Sequence, residues 1–491
     1  MSSPSAAPVH GGHLTIVTVG SQWLNLDPAG SQSGPGLLNL MFDSLFTVNA
    51  KLHVVPQLAT SYNVSAGGTT TTIHLRPGVE FQDGTPLDAN AVVFNLKRYM
   101  NPTSGCYTYL QPVQSITATN PSTVVVTFSK PYAAFISVLS SWNCGMMASP
   151  TAVQQEGASF GTHPVGAGPF KFQSEVLDVY VKMTRWSGYW QKGRPYLDSV
   201  EYESVGSDSS AMSALQAGNA QVFNSGATAG VTPVDVRQAK SSSKLRVQYA
   251  GSLSTSALVM NLRHPPFTNP LARKAVIEAT NPKAIIKGLY FGLETPTEFP
   301  VGPSSWAWPG SKVAGYPGYH PSDARAIVKQ LGGLSFTYEV VDTPSNVALA
   351  SVVKDQLDAV GMHVTIDLVD FSKWLSDAIT FNYQVQTVPT ILATSDPDAP
   401  FYTFFYSHSP RNFQGISDPN LDKLIFEARQ TLSEAQRKKL YLQAAEVENT
   451  AVRSWDYFFA VHDYQIESAN VHGFPAIVTG QLNLADTWLG G

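Results

Sequence analysis

The sequence predicts an α/β fold divided into about two or three domains, and three observations lead to this prediction. The chain has 491 residues, which is more than a single small hydrophobic core holds. Residues 69–75 alternate in the period of a strand, and helical spacing follows them. A strand–helix–strand succession covers residues 334–368, and such units build parallel sheets.

The first strand and helix lie in residues 58–100. Thr69 to Leu75 alternates between two faces, which predicts a strand. Pro77 and Gly78 end it, because proline fixes φ and glycine permits a positive φ. Asp88 stands at the N-cap position of a helix. The helical stripe consists of Val92, Leu96 and Tyr99.

The strand–helix–strand unit is the clearest element of the second half. Residues 334–340 alternate, Ser345 is placed to cap a helix, and Gly361 ends that helix. Residues 364–368 alternate again. A right-handed crossover between two parallel strands follows from this order. The inward helical stripe consists of Leu349, Val353, Leu357 and Val360.

The remaining periodic segments complete the α/β pattern. Strands are predicted at 13–19, 123–129, 179–185 and 199–204. Helices are predicted at 37–46, at 270–280 after the cap Asn269, after Asp418-Pro419, and after Ser433.

Composition excludes several classes of function. Charged residues make up 14% of the chain and the net charge is −5, so there is no basic footprint for nucleic acid or anionic membrane. No apolar run reaches about 18 residues, the length that spans a bilayer. The low content of charged residues suggests the hypothesis that the protein is exposed to an acidic exterior, where carboxylates would become protonated. The start, MSSPSAAPVHGG, is rich in small residues and has no apolar core of a signal peptide.

Catalytic motifs in the sequence are either absent or incomplete. Gly30 to Gly34 has Gln in the middle position of GxSxG, and HExxH is absent. Two SxxK matches, Ser241xxLys244 and Ser351xxLys354, lack the partner motifs SDN and KTG and are attributed to chance. We therefore expect no enzyme, no metal and no cofactor. An unrecognised pair of carboxylates would instead make the protein a secreted hydrolase.

A glycine-rich segment, HPVGAGPFKF at 163–172, invites comparison with a phosphate-binding loop. It lacks the GxxxxGK[ST] pattern, and Pro169 removes a backbone donor. The segment is therefore interpreted as a tight crossover within the fold.

Several long phrases resemble the family 5 extracytoplasmic solute-binding proteins, the peptide- and nickel-type receptors of ABC importers. The longest is LATSYNVS followed by HLRPGVEFQDGTPLDANAVVFNLKR, within residues 58–98. Others stand in the family's order: SQWLNLDP at 21–28, MFDSL at 41–45, HPVGAGPFKF at 163–172, and YW with GRPYLD within 189–198. The resemblance runs from about residue 12 to the end.

The resemblance implies a two-lobed fold of the type II periplasmic-binding-protein kind. Lobe I would comprise 12–50, 166–260 and 466–491, after a flexible tail at 1–11. An additional subdomain of lobe I would occupy 51–165, and lobe II would occupy 261–465.

The implied function is the substrate-binding component of an ABC importer. It would capture a solute between its lobes, a short peptide as the first choice, and deliver it to a membrane permease. The alternative ligand is an oligosaccharide, an opine-like solute or a metal chelate. The resemblance implies an extracytoplasmic monomer that is lipid-anchored before its leader is removed, with no nucleic-acid partner.

The resemblance also implies a ligand anchor. Peptide receptors of the family carry an acidic residue in a D-x-x-x-P phrase, and Asp396 with Pro400 fits it. Asp396-Pro397 is equally suited to cap a helix. The Trp or Arg that relatives often carry upstream is missing from 384–395, which weakens the peptide assignment. Further candidate ligand-binding residues are Asn261, Ser31, Gln32, Trp23, Trp142, Trp374, Tyr402 and Arg411; the aromatic ones are equally suited to a core.

The two cysteines, Cys106 and Cys144, are too few for a zinc site. In an exported protein they are expected to form one disulfide. The alternative is two buried thiols.

Overall fold

A computed structural model describes residues 7–20, 25–30, 35–140, 142–224, 230–388, 396–476 and 482–490. The chain forms two compact units. The first comprises Met1–Ala250 and Asp463–Gly491, and the second comprises Gly251–His462. The chain passes from one unit to the other inside two strands, Leu245–Met260 and Trp455–Ser468. A separate subdomain at 51–165 stays a prediction.

The described residues include the following strands: β1 His13–Val19, β2 Phe46–Val48, β3 Val54–Pro56, β4 Ala59–Val64, β5 Thr70–Leu75, β6 Val113–Asn120, β7 Thr123–Phe128, β8 Phe170–Val176, β9 Tyr180–Arg185, β10 Ser199–Val205, β11 Val222–Phe223, β12 Leu245–Met260, β13 Leu334–Val341, β14 Met362–Val369, β15 Val385–Val388, β16 Trp455–Ser468, β17 Val471–His472 and β18 Trp488–Leu489.

The helices in the same part of the chain are α1 Pro35–Met41, α2 Ala89–Tyr99, α3 Tyr107–Leu110, α4 Phe135–Val138, α5 Pro150–Glu156, α6 Asp208–Ala217, α7 Pro233–Lys240, α8 Pro270–Ala279, α9 Pro282–Leu289, α10 Pro321–Gln330, α11 Pro344–Asp358, α12 Phe371–Thr380, α13 Asp398–Pro400, α14 Pro419–Gln430 and α15 Glu434–Val447. Short 3-10 segments lie at Trp142–Gly145 and Gly157–Thr162, and π-helical turns lie at Phe401–Phe405 and Glu448–Val452.

The first unit contains two principal sheets. In one, β1 is parallel to β10 and to β11, and β10, β9 and β8 continue antiparallel. In the other, four antiparallel strands follow the order β4-β5-β7-β6. Strand β5 buries Thr71, Ile73 and Leu75, the face predicted from the alternation. Asp88 caps α2 by accepting from the Ala91 N–H at 3.0 Å.

The second unit contains the predicted strand–helix–strand unit. Strands β13 and β14 pair in parallel from Leu334↔Met362 to Val341↔Val369, with α11 between them in the chain. Strand β15 is parallel to β13 and antiparallel to β12. The inward stripe of α11 is the predicted one, because Leu349, Val353 and Leu357 are all buried.

Two predicted boundaries were wrong. The cap of α11 is Thr343 rather than Ser345, because Pro344 takes the first helical position and the Thr343 hydroxyl accepts from Asn346 N–H. The helix predicted at 37–46 ends at Met41. Tertiary contacts override helical propensity there, since the next residues bury a carboxyl group that is described below.

No helix in the described parts of the chain is long and apolar enough to cross a membrane.

Candidate functional site

The predicted anchor Asp396 is buried in the second unit. Its carboxylate accepts from the backbone N–H of Asp398 at 2.9 Å, at the start of α13. It also accepts from the guanidinium of Arg437, at 2.7 Å to Oδ2 and 2.6 Å to Oδ1. The two parallel bonds form a bidentate arginine–carboxylate pair, which is stronger than a single hydrogen bond.

Arg437 reaches the anchor from helix α15. It is buried, and it also donates to the carbonyl of Ala428 at 3.1 Å and to the hydroxyl of Tyr441 at 3.0 Å. Its guanidinium lies 5.2 Å from the ring centre of Trp306. Burial lowers the pKa of Arg437, but Asp396, Tyr441 and Asp398 together raise it well above its usual value.

A second pair lies beside the first. Arg429 of α14 approaches Asp398 at 3.4 Å, and both side chains are buried. The guanidinium also stacks over the ring of Tyr402 at 3.7 Å, and Tyr402 stacks in turn on Tyr406 with 5.0 Å between centroids. Burial raises the pKa of Asp398, while Arg429 acts in the opposite direction. We call Asp396, Asp398, Arg429 and Arg437 the Asp–Arg cluster.

The Asp–Arg cluster is balanced, with two carboxyl groups against two guanidinium groups. An ammonium ion arriving at Asp396 would have to share that carboxylate with Arg437, and buried charges are costly when they lose a partner. The geometry therefore gives Asp396 a structural partner, Arg437. The capping alternative was wrong, because Pro397 rather than Asp396 takes the N-cap position of α13 and no side-chain cap bond is made there. Its role as a ligand anchor stays a prediction.

The side chain of Asn261 also makes its hydrogen bonds within the protein. Its side-chain amide donates to the carbonyls of Phe381 and Tyr383 at 3.0 and 2.8 Å, and its oxygen accepts from Arg263 N–H at 3.0 Å. These bonds hold the chain after β12 against the turn that follows α12. A ligand contact of Asn261 stays a prediction.

Arg411 lies in a loop that neighbours this turn. Leu262 N–H donates to Gln414 O at 2.8 Å, and Gly415, with φ 73°, lies against the side chain of Arg263. Arg411 and Arg263 are both exposed, and neither has an ion-pair partner among the described residues. These neighbouring segments therefore present two guanidinium groups to which an anionic ligand could bind.

Trp374 lies apart from these groups, on α12. It is buried and stacks on Phe371 with 5.8 Å between centroids. Its indole N–H has no acceptor in the described part of the chain. A buried donor without an acceptor is uncommon in folded proteins. The indole N–H of Trp374 can therefore donate a hydrogen bond to a water or a ligand.

The other predicted residues give less information. Trp23, Ser31 and Gln32 lie outside the described residues, and so does the side chain of Trp142.

The residues that sequence reasoning missed are Asp398, Arg429 and Arg437. Their signal was present in the helical pattern. Arg437 stands on the same stripe of α15 as Tyr441 and Ala444, which are buried. An arginine on an apolar stripe indicates a buried ion pair, because such a charge is buried only when it is paired.

In the first unit the family-like phrases meet around Asp43. Its buried carboxyl accepts from Gln57 Nε2 at 2.7 Å, Tyr189 OH at 2.9 Å and Trp190 Nε1 at 2.6 Å. The guanidinium of Arg76 lies 4.4 Å from the ring centre of Trp190. Burial raises the pKa of Asp43 to about 7, against the lowering effect of Trp190 and Tyr189.

The glycine-rich segment at 163–172 is a packing contact. A Cβ at Gly166 or Gly168 would come within 2.2 or 2.5 Å of the backbone of Met41. The Gln82 amide donates to the carbonyls of Gly168 and Phe170 at 3.0 and 2.8 Å. These contacts support the interpretation of a tight crossover. Like the contacts of Asp43, they are packing contacts within the first unit, and they are made by residues of the family-like segments.

The sulfur atoms of Cys106 and Cys144 are 2.09 Å apart and form a disulfide. Both residues are buried in the core that contains β5, β7 and α2.

Comparisons with known proteins agree with this architecture. Residues 53–412 match the model of the bacterial extracellular solute-binding proteins, family 5 (middle). The glutathione-binding protein GsiB of Pectobacterium atrosepticum is 29% identical over 473 residues, which cover 90% of this chain and 87% of that protein.

Solved structures share the fold. DppA from Helicobacter pylori in complex with the peptide STSA superposes with a TM-score of 0.85 at 23% identity, covering 98% of this chain and 99% of that one. NikA from Brucella suis in complex with Fe(III)-EDTA has a TM-score of 0.85 at 18% identity, covering 97% and 100%. The fold is that of the type II periplasmic binding proteins, and proteins of this family act outside the cytoplasm. The chain belongs to the bacterial extracellular solute-binding proteins of family 5 and is the substrate-binding component of an ABC importer.

Proposed function

We propose that the ligand is a short peptide and that glutathione is the peptide to test first. The observation that carries this proposal is the 29% identity to a glutathione-binding protein over 90% of this chain. The alternatives of an oligosaccharide, an opine-like solute or a metal chelate have no comparable relative in sequence among the proteins compared above.

The charges of the second unit support an anionic peptide. Glutathione has two carboxylate groups and one ammonium group. Arg263 and Arg411 are exposed, lie on neighbouring segments, and have no ion-pair partner among the described residues. Arginine is the side chain best suited to bind a carboxylate with two parallel hydrogen bonds. In this proposal the two arginines receive the carboxylates of the ligand.

The proposed mechanism is binding without chemistry. The ligand binds one conformation of the receptor more tightly than the others and so raises its population. The permease then recognises that conformation, and the ligand is released unchanged. The opposing possibility, a secreted hydrolase, predicts that the ligand is consumed.

Titration calorimetry of ligand-free protein tests the proposal, with glutathione, glutathione disulfide and trialanine as probes. We expect saturable binding of one glutathione per chain and recovery of the intact tripeptide by mass spectrometry. At a hundredfold excess over Kd, binding would add about 2.7 kcal/mol to the free energy of unfolding. No binding of any of the three peptides contradicts the peptide proposal. Cleavage of the tripeptide supports the hydrolase.

Small molecules released by denaturing the purified protein provide an independent test. Glutathione or a set of peptides of one length supports the proposal. A single non-peptide compound keeps the importer role and overturns the peptide assignment.

Substitutions locate the binding residues. We expect Arg263→Gln and Arg411→Gln each to weaken glutathione binding at least tenfold, because each leaves one ligand carboxylate without a charged partner. Arg325→Gln, an exposed arginine on α10, is the matched control and should bind normally. Equal affinity in all three variants would place the ligand elsewhere.

Asp396 can be tested in the same assay. If it anchors the peptide ammonium, Asp396→Ala weakens peptide binding at least tenfold. Unchanged affinity in a folded variant would leave Asp396 with its structural role alone.

We further propose that the receptor is a monomer that binds no nucleic acid and is lipid-anchored at the outer face of the membrane. This follows the resemblance to the family. Light scattering after gel filtration tests the monomer, and membrane fractionation of the native cells tests the anchor. A stable dimer or a protein found in the aqueous fraction contradicts the respective part.

A further inference from the structure

The β8–β9 hairpin of the first unit ends in an apolar tip. Val176 pairs with Tyr180 across the two strands, and Leu177, Asp178 and Val179 form the turn between them. Val176, Leu177 and Val179 are 45%, 55% and 50% exposed. Three of four consecutive residues therefore hold branched aliphatic side chains in water. We call residues 176–179 the hairpin tip.

The turn itself does not require these side chains. Turns favour Gly, Asn, Asp and Ser, because these residues accept a positive φ or bond to the local backbone. Asp178 meets this requirement, with φ 57°. Leu177 and Val179 leave about half of their surface in water, and consecutive exposed apolar residues depart from the polar pattern of loops unless they serve an interaction.

The hairpin tip is held in place. Val179 N–H donates to Val176 O at 2.9 Å and closes the turn, while Val179 O accepts from Ser204 N–H at 2.8 Å at the end of β10. The backbone of the tip is therefore tied to its own sheet on both sides. A surface fixed in this way loses little conformational entropy when a partner binds.

The charges around the tip are acidic. Glu175 precedes it, Asp178 lies within it, and Glu203 pairs with Tyr180 at its base. The nearby Lys182 is paired with Glu201 at 3.2 Å. Anionic lipid surfaces attract basic segments and repel acidic ones. A protein surface with an apolar socket and a basic rim is the complementary partner.

We propose that the hairpin tip docks the receptor onto the extracytoplasmic surface of its permease. Leu177 and Val179 enter an apolar socket, and basic side chains at the rim of the socket meet Glu175 and Asp178. The proposal rests on the importer role and is independent of which solute is carried. It assigns to this hairpin the contact by which the receptor recognises its own transporter.

The test measures binding of full-length receptor to the cognate permease in nanodiscs of neutral lipid, with and without glutathione. The double variant Leu177→Asn/Val179→Asn removes the apolar surface and keeps side chains that turns accept. We expect it to bind the permease at least tenfold more weakly and to stimulate ATP hydrolysis less. Val234→Asn, at a position 61% exposed on α7, is the matched control and should behave as the wild type.

Each outcome decides the proposal. An unchanged melting temperature and unchanged glutathione binding in the double variant show that only docking was altered. Equal permease affinity of the double variant and the wild type overturns the proposal, and so does a wild type that does not bind the permease. Loss of binding to anionic vesicles with permease binding intact assigns the tip to the membrane and likewise overturns it.

Discussion

Two buried aspartates, one in each unit, are held in opposite ways. Asp43 in the first unit accepts hydrogen bonds from an amide, a phenol and an indole, which are all neutral donors. Asp396 in the second unit is held by the guanidinium of Arg437. Both carboxyl groups are almost inaccessible to water, so the difference lies in the charge of the partner.

The comparison shows two ways of burying a carboxyl group. Without a cation, burial favours the protonated form, and the pKa of Asp43 rises to about 7. At Asp396 the guanidinium of Arg437 supplies the opposite charge, and the cost of burial falls on the pair together. Removing a partner should therefore have different consequences at the two sites.

The largest effect is expected from Arg437→Met. The substitution leaves the carboxylate of Asp396 buried without its cation, and breaking a buried pair in this way costs about 3–5 kcal/mol. Urea unfolding measures the loss. The double variant Asp396→Asn/Arg437→Met should recover part of it, and Arg325→Met is the exposed control. If the single and double variants are equally unstable, the pair is not the source of the loss.

The disulfide offers a second contrast, because both cysteines belong to the first unit. It closes a loop between residues 38 apart in sequence, and the chain-entropy model gives such a loop about 3–4 kcal/mol. We expect Cys106→Ala/Cys144→Ala to lower the free energy of unfolding of the first unit by this amount. The second unit contains no cysteine and should unfold as before. An equal loss in both units would show that they unfold as one.

The pH dependence of stability tests the burial of Asp43. The pKa of Asp43 is raised from 3.8 to about 7 on folding, so the folded chain keeps a proton that the unfolded chain releases. The stabilisation is complete below the unfolded pKa and is lost as pH rises through about 7. For this group alone we expect a fall of about 2–3 kcal/mol between about pH 5 and pH 8.

Asp43→Asn tests this dependence. The amide cannot ionise, so the part of the pH slope due to Asp43 should disappear in urea unfolding. Glu448 and Asp456 of the second unit have pKa values raised to about 7 by burial and should add slopes of the same sign. Stability that rises toward pH 8 contradicts the prediction. A fall agrees with the hypothesis of an acidic exterior.

The smallest effect on stability is expected from Trp374→Phe. The phenyl ring continues to pack on Phe371, but three buried ring atoms are lost together with an N–H that has no acceptor among the described residues. The free energy of unfolding should therefore fall by about 1–2 kcal/mol. If Trp374 lines the ligand site as predicted, glutathione binding weakens several-fold in calorimetry. Unchanged affinity assigns the residue to the core.

Much of the fold was predicted from local pattern. The alternation of β5, the stripe of α11 and the cap Asp88 depend on neighbours within a few residues, where side-chain geometry follows chain geometry. The cap of α11 was missed although Pro344 marked it. The helix after residue 37 was predicted too long, because contacts with Gln57, Tyr189 and Trp190 decide where it ends.

The candidate site was harder to predict. The sequence singled out Asp396, but its partner Arg437 is 41 residues away and stands in a helix whose pattern was interpreted as apolar. Asn261 was predicted as a ligand contact, but its side-chain hydrogen bonds go to backbone groups that the folded chain brings near it. Pairings of this kind depend on distance in space and leave no local periodicity.

The sequence by itself determined the family, the α/β elements and their order, because these follow from hydrophobic periodicity and from long phrases that suit one fold. The tertiary structure decided which charges are neutralised within the protein and which remain for a partner. Arg437 forms an ion pair with Asp396, whereas Arg263 and Arg411 are exposed without an ion pair among the described residues. The physical reason is that burial and pairing set the energy of a charge, and both are properties of the folded chain.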